Sequence, residues 1–197
     1  INHLNGLMNK IEDTLSNFHK NNPLKPGISK EELKSRTMEN IKQKALEDIF
    51  TYLEKEKFIK LHNHYVSLYK FEIEFNEEQK NIKNSILEIY EKNKFNPPRY
   101  EEVSGQLKYP KKTISQVYEA MIDSGDLVKV DMDTVFLKTA YQEAKNILIE
   151  YISKHESIQL SEFRDLLGTS RKYSMALLDY FDQMKVTKRI EDKRILY

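Results

Sequence analysis

Residues 180–197 read YFDQMKVTKRIEDKRILY: the close of a helix, a short apolar strand, a polar turn and a second strand. Two earlier stretches finish the same way, YLEKEKFIKLHNHYVSLYKF at 52–71 and AMIDSGDLVKVDMDTVFLKT at 120–139. A pattern that returns three times in 197 residues signals a repeated architecture, so each copy is read as one unit.

What precedes each hairpin is also shared. In the third copy Ala144, Ile147, Leu148, Tyr151 and Ile152 follow the helical period, and SIQL at 157–160 offers a short strand. Ser161 is expected to cap a short helix whose apolar face is Phe163, Leu166 and Leu167, and Gly168 suits the position just past its end. A third helix then carries Tyr173, Leu177, Tyr180, Phe181 and Met184 inward. The middle copy repeats the order with Ile82, Ile86, Ile89 and Tyr90, then YEEVSGQL (100–107) and KTISQVYEAMI (112–122). Between them NPPRY at 96–100 keeps the chain out of the helical region. The first copy has Leu7, Ile11, Leu15 and Phe18, then NPLKPGISKEEL at 22–33, where Ser29 and Glu32 stand three apart as a capping box. Its last helix runs through Ile41, Leu46, Ile49, Phe50 and Leu53.

Helix, strand, helix, tight turn, helix, hairpin is the plan of a winged helix. Elements this short cannot each bury a face alone, and the arrangement lets one small core serve all of them. The sequence therefore predicts a mainly α fold with small β-hairpins (α+β), made of tandem winged-helix (helix-turn-helix) domains over 1–73, 74–139 and 140–197. Short linkers near FEIEFNEEQ (71–79) and LKTAYQ (137–142) point to an elongated array.

Composition removes other classes. Hydrophobic residues make up 39% and charged residues 32%, which fits a soluble, helix-rich protein, and no apolar run reaches the length of a membrane span. Zero cysteines exclude a disulfide framework and thiolate metal sites, and fit a reducing cytoplasm. The chain opens INHLNG, without an initiator methionine or signal peptide, and is expected to be a fragment of a longer polypeptide. A net charge of +1 means that any nucleic-acid role must lie in local clusters of basic residues.

Those clusters differ between copies. The first hairpin, KLHNHYVSL (60–68), is nearly neutral, and the second, KVDMDTVFL (129–137), carries Asp131 and Asp133. The third supplies Lys188, Arg189, Lys193 and Arg194 against Glu191 and Asp192. Upstream, the helix expected to start at Thr169 or Ser170 puts Arg171 and Lys172 in its first turn, where backbone N–H groups already concentrate positive charge. Facing only water, each cation costs about 0.3–1 kcal/mol there. A phosphate at the tip reverses that sign, and the bland reading is a pair of solvated side chains. Asp179 and Asp182 further along argue against a duplex lying on the whole helix, so a structured RNA suits the tip and wing better than a DNA major groove. Tyr173 fits stacking on a splayed base, or core, equally well.

FRDLLGTSRKYSMALLDYFDQMKVTKRIEDKRIL (163–196) resembles the C-terminal end of the SelB family of bacterial selenocysteine-specific elongation factors, and NPLKPGISKEEL resembles the opening of an earlier winged helix of that family. The likeness in domain plan spans essentially the whole chain. It implies the second, third and fourth of the family's four winged helices, the last gripping the selenocysteine insertion element (SECIS), an mRNA hairpin beside a UGA codon. It further implies that Ser170, Arg171 and Lys172 with Lys188, Arg189, Lys193 and Arg194 form the RNA surface, to which the stacking reading adds Tyr173, and that the first two domains are spacers. The ribosome is an implied partner. GTP, magnesium and selenocysteyl-tRNA belong to an N-terminal part, since no G-x-x-x-x-G-K-[ST] loop occurs here. A cytoplasmic monomer without cofactor is expected.

Other chemistry is weaker. His62 and His64 form an H-x-H pair without a third ligand nearby, and DMDT lacks the glycine and distal glutamate of a calcium loop, so no metal is expected. No nucleophile elbow or HExxH helix argues for catalysis. Lys108, Lys111 and Lys112 read as solvated rather than as contacts to ribosomal RNA. Two rival readings remain: a winged-helix DNA-binding transcription regulator, which usually needs a dimerising element although no coiled-coil heptad is present, and a pure protein-interaction scaffold, which leaves the cations of the last unit without a purpose.

Overall fold

The computed structural model describes residues 2–39, 41–62 and 64–197. The chain divides into two compact units, Ile1–Asn76 and Glu77–Tyr197. The first holds α1 (Asn2–Asn21), β1 (Ile28–Ser29), α2 (Lys30–Thr37), α3 (Gln43–Lys55), β2 (Ile59–His62) and β3 (Tyr65–Leu68). Its antiparallel sheet has the order β1-β3-β2, with Ile28 opposite Val66 and Leu61 opposite Val66 on the other side. Ile11, Leu15, Leu33, Leu46, Phe50, Leu53, Ile59 and Val66 close the core. Each such side chain contributes about 1.5–3 kcal/mol of burial. Gly27 is required by space: a Cβ there would lie 2.2 Å from the Val66 carbonyl oxygen. Ser29 caps α2 by accepting from the Glu32 N–H at 3.1 Å, while the Glu32 carboxylate pairs with Arg36.

The second unit contains both later copies. Its first part is α4 (Glu77–Asn93), α5 (Tyr100–Gln106), α6 (Lys111–Asp123), β4 (Leu127–Lys129) and β5 (Val135–Leu137). Then come α7 (Lys138–His155), β6 (Ile158–Gln159), α8 (Leu160–Leu167), α9 (Arg171–Gln183), β7 (Thr187–Ile190) and β8 (Lys193–Leu196). The last sheet, β6-β8-β7, repeats the three-stranded order of the first unit. The middle sheet has two strands, β4-β5. Asn96–Pro97–Pro98 occupies the place of its first strand, and proline cannot donate to a ladder.

Three expectations need correction. LKTAYQ is not a linker: α7 starts at Lys138, directly after β5, because small buried Ala140 and Ala144 let the helix pack closely on that hairpin. The cap of α8 is Gln159 rather than Ser161. Its backbone N–H donates to the Glu162 carboxylate at 2.7 Å, so the acid three residues on fixes the start. Leu166 and Met184, placed inward by helical spacing, are exposed, whereas Phe163, Leu167, Leu177, Leu178 and Phe181 form the core. Gly168 ends α8 in the left-handed region at φ 59°.

Candidate nucleic-acid interface

Ser170 is the N-cap of α9. Its hydroxyl accepts from the Tyr173 N–H at 3.4 Å and its carbonyl from the Ser174 N–H at 3.1 Å. The amides of Arg171 and Lys172 are left without a partner among the described residues, at the positive end of the helix. Both side chains are exposed. Arg171 makes no ion pair among the described residues, and the Lys172 ammonium lies 5.4 Å from the Tyr173 ring centroid. Two free amides and two cations at one helix end can chelate a phosphate.

The rest of the tip is occupied. The Thr169 hydroxyl donates to the Phe95 carbonyl at 2.5 Å, and the Tyr173 hydroxyl to the Pro97 carbonyl at 2.9 Å. The Tyr173 ring packs edge-on to Phe136, centroids 6.2 Å apart. Residues 95–98 carry two prolines, so this turn offers carbonyls and few N–H groups, and hydroxyl donors satisfy it. Tyr90 reaches the Pro98 carbonyl from the other side in a longer contact of 3.4 Å and meets the Tyr118 hydroxyl at 2.6 Å. Burial pushes both of these phenols above the ordinary tyrosine range. Tyr173 is thus a docking residue, not an exposed stacking platform.

Strand parity sorts the hairpin cations. Lys188 faces across to Ile195, and Ile190 to Lys193, so Lys188, Ile190, Lys193 and Ile195 share the outer face. Thr187, Arg189 and Arg194 share the inner one. Lys188 and Lys193 are exposed and have no ion pair among the described residues. Arg189 is exposed on the inner side, its Nε donating to the Glu191 carbonyl at 3.0 Å.

Arg194 is 2% exposed. Its Nε donates to the Asp182 carboxylate at 2.9 Å and its Nη2 to the Asp179 carboxylate at 2.7 Å. Its expected role as an exposed RNA contact is therefore corrected: the side chain is turned into α9 and held there by two carboxylates. The candidate cations fall into an α9 tip pair, an outer-face lysine pair and Arg189, rather than one set. Two signals could have exposed this. Alternation puts Arg194 on the face of the β-branched Thr187, and the i, i+3 spacing of Asp179 and Asp182 puts both acids on one side of α9.

Repeated three-helix units closed by hairpins, with an exposed cationic helix tip in the last, define a tandem winged-helix protein. Two family models, each described as elongation factor SelB, winged helix, match residues 13–68 and 150–196, together just over half of the chain. The chain belongs to the SelB elongation factor family. A selenocysteine-specific elongation factor of Desulfomicrobium baculatum is 24% identical over 191 residues, 97% of this chain and 30% of its own length. The chain thus spans under a third of that relative. In fold it is similar to the mRNA-binding domain of elongation factor SelB from E. coli, solved in complex with SECIS RNA. The TM-score is 0.52 at 19% identity, over 62% of this chain and 98% of that one. The crystal structure of a bacterial selenocysteine-specific elongation factor, EF-Sec, aligns with TM-score 0.51 at 19% identity, over 99% of this chain and 30% of that one.

Proposed function

We propose that this chain is the messenger-reading part of a selenocysteine-specific elongation factor, whose last winged helix holds the SECIS hairpin of an mRNA and so directs selenocysteine to a UGA codon. The observation that carries the reading is the tip of α9, where Arg171 and Lys172 stand exposed beside two amides without a partner among the described residues, together with a hairpin that presents Lys188 and Lys193 on its exposed face. Water alone leaves that arrangement repulsive, and a backbone phosphate makes it favourable. Lys188 and Lys193 on the outer face of the hairpin add two more cations, and Arg189 a third from the inner side. The E. coli domain of the same fold is described in complex with SECIS RNA.

In this reading the chain carries three winged helices, over 1–73, 74–139 and 140–197, the second to fourth of the family's four. The first two act as spacers between the ribosome and the hairpin. The factor works as a cytoplasmic monomer, and selenocysteyl-tRNA, GTP and magnesium engage a part of the factor outside this chain. No catalytic step is assigned to these residues. Among the described residues no helix is long and apolar enough to cross a membrane.

The test is a titration with three probes at several salt concentrations: the hairpin following the in-frame UGA of a selenoprotein messenger from the same genome, an unrelated RNA hairpin, and duplex DNA. The reading predicts preference for the first, with affinity falling linearly on a log–log salt plot. Equal affinity for duplex DNA would favour a DNA-binding regulator and overturn it.

A further inference from the structure

The two acids of α9 present a difficulty for RNA binding, and the buried arginine lessens it. Asp179 and Asp182 lie on the same helix whose tip offers phosphate a site, and a bare carboxylate pair there repels a polyanion. Arg194 reaches back from β8 and contacts both, at 2.7 and 2.9 Å. Asp182 also accepts from the Thr187 hydroxyl of β7 at 2.5 Å, so one carboxylate gathers both strands of the hairpin onto the helix. Both strands that carry the exposed cations are thereby tied to α9 through side chains that themselves face inward.

We propose that Arg194 is a positioning residue of the RNA site: it offsets one of the two negative charges of the α9 acids and clamps the β7–β8 hairpin to that helix, without touching the RNA. This rests on the RNA-binding reading of the last winged helix. A contact residue and a positioning residue predict different rescue behaviour. If Arg194 acts through Asp179 and Asp182, neutralising all three partners removes the uncompensated charge that its loss alone creates. If it bound phosphate directly, neutralising the aspartates could not replace it.

The experiment uses the full chain and the same messenger hairpin. Arg194→Met is expected to weaken binding at least about tenfold and to speed amide hydrogen exchange across residues 187–196 in the RNA-free protein. Asp179→Asn/Asp182→Asn/Arg194→Met is expected to bind more tightly than Arg194→Met by about threefold or more, while exchange across residues 187–196 stays faster than in the parent because the clamp is still missing. Should Arg194→Met fail to fold, Arg194→Lys, which keeps the charge and loses the two-pronged contact, is expected to bind about three- to tenfold more weakly than the parent. Parental affinity in Arg194→Met or Arg194→Lys would overturn the proposal, and so would a triple variant no tighter than Arg194→Met. Failure of the unaltered chain to bind the hairpin would instead strike the RNA reading itself. Faster exchange at residues 187–196 would then still report the clamp.

Discussion

The middle and last winged helices open their third helices alike and close their hairpins differently. α6 begins with Lys111 and Lys112 after Pro110, and α9 begins with Arg171 and Lys172 after Ser170. Cations in the first helical turn are common to both, so they cannot by themselves mark an RNA site. The hairpins separate the two. The β4–β5 turn carries Asp131, Met132 and Asp133, whereas β7–β8 presents Lys188 and Lys193 on one exposed face. Even there the two acids differ. The Asp131 carboxylate accepts the N–H groups of Asp133 and Thr134 at 2.8 and 2.7 Å and builds the turn, whereas Asp133 is simply exposed. On the proposed reading, a cationic helix tip favours a polyanion only when the neighbouring hairpin does not oppose it.

The largest expected effect breaks the comparison at its hairpin. Lys188→Glu/Lys193→Glu should lower affinity for the messenger hairpin about a hundredfold, measured by fluorescence anisotropy, whereas Lys111→Ala/Lys112→Ala should leave it unchanged. Comparable losses from both pairs would erase the distinction. Next, Arg171→Ala should cost about tenfold and reduce the salt slope by about one, with an unchanged slope arguing against a phosphate contact.

The first unit adds a test of acid sensitivity. His19 is buried, stacked on Phe71 at 3.5 Å, and its Nε2 accepts the Leu68 N–H at 3.3 Å. Burial lowers its pKa to about 4, so the folded chain keeps the ring neutral while the unfolded chain takes up a proton near 6.5. Stability contributed by the neutral ring is complete above that value and is lost as pH falls from about 6.5 towards 4. Thermal denaturation at pH 7 and 5 should show a decline of a few degrees that His19→Gln reduces. An identical decline in the variant would remove His19 as its source.

Smaller still, Tyr173→Phe should cost about 1 kcal/mol of stability by stranding the Pro97 carbonyl, with little change in hairpin affinity. A large affinity loss without a stability loss would restore Tyr173 to the RNA surface. Asp133→Ala, on the exposed side of the acidic turn, should change neither.

The repeat itself was legible because each copy needs apolar residues at helical spacing followed by alternating strands, and Ile82, Ile86, Tyr90, Leu148, Ile152, Leu177 and Phe181 obey that period and are buried. The Ser170 cap and the left-handed Gly168 were legible for the same local reason. Side-chain engagement was not. Charge counting treats Arg194 and Lys193 alike, although adjacent strand residues face opposite ways and only one of them meets two carboxylates. Tyr173 was undecided on spacing because its partner, the Pro97 carbonyl, lies 76 residues away in sequence. The start of α7 was hidden because a tight strand-to-helix junction reads as a linker when its small residues pack.

The most direct measurement is an amide NMR titration of the chain with the messenger hairpin. The account predicts that shift changes concentrate at residues 170–173 and 187–194 and bypass 111–112 and 131–133. Changes centred on the middle winged helix, or none at the start of α9, would contradict it.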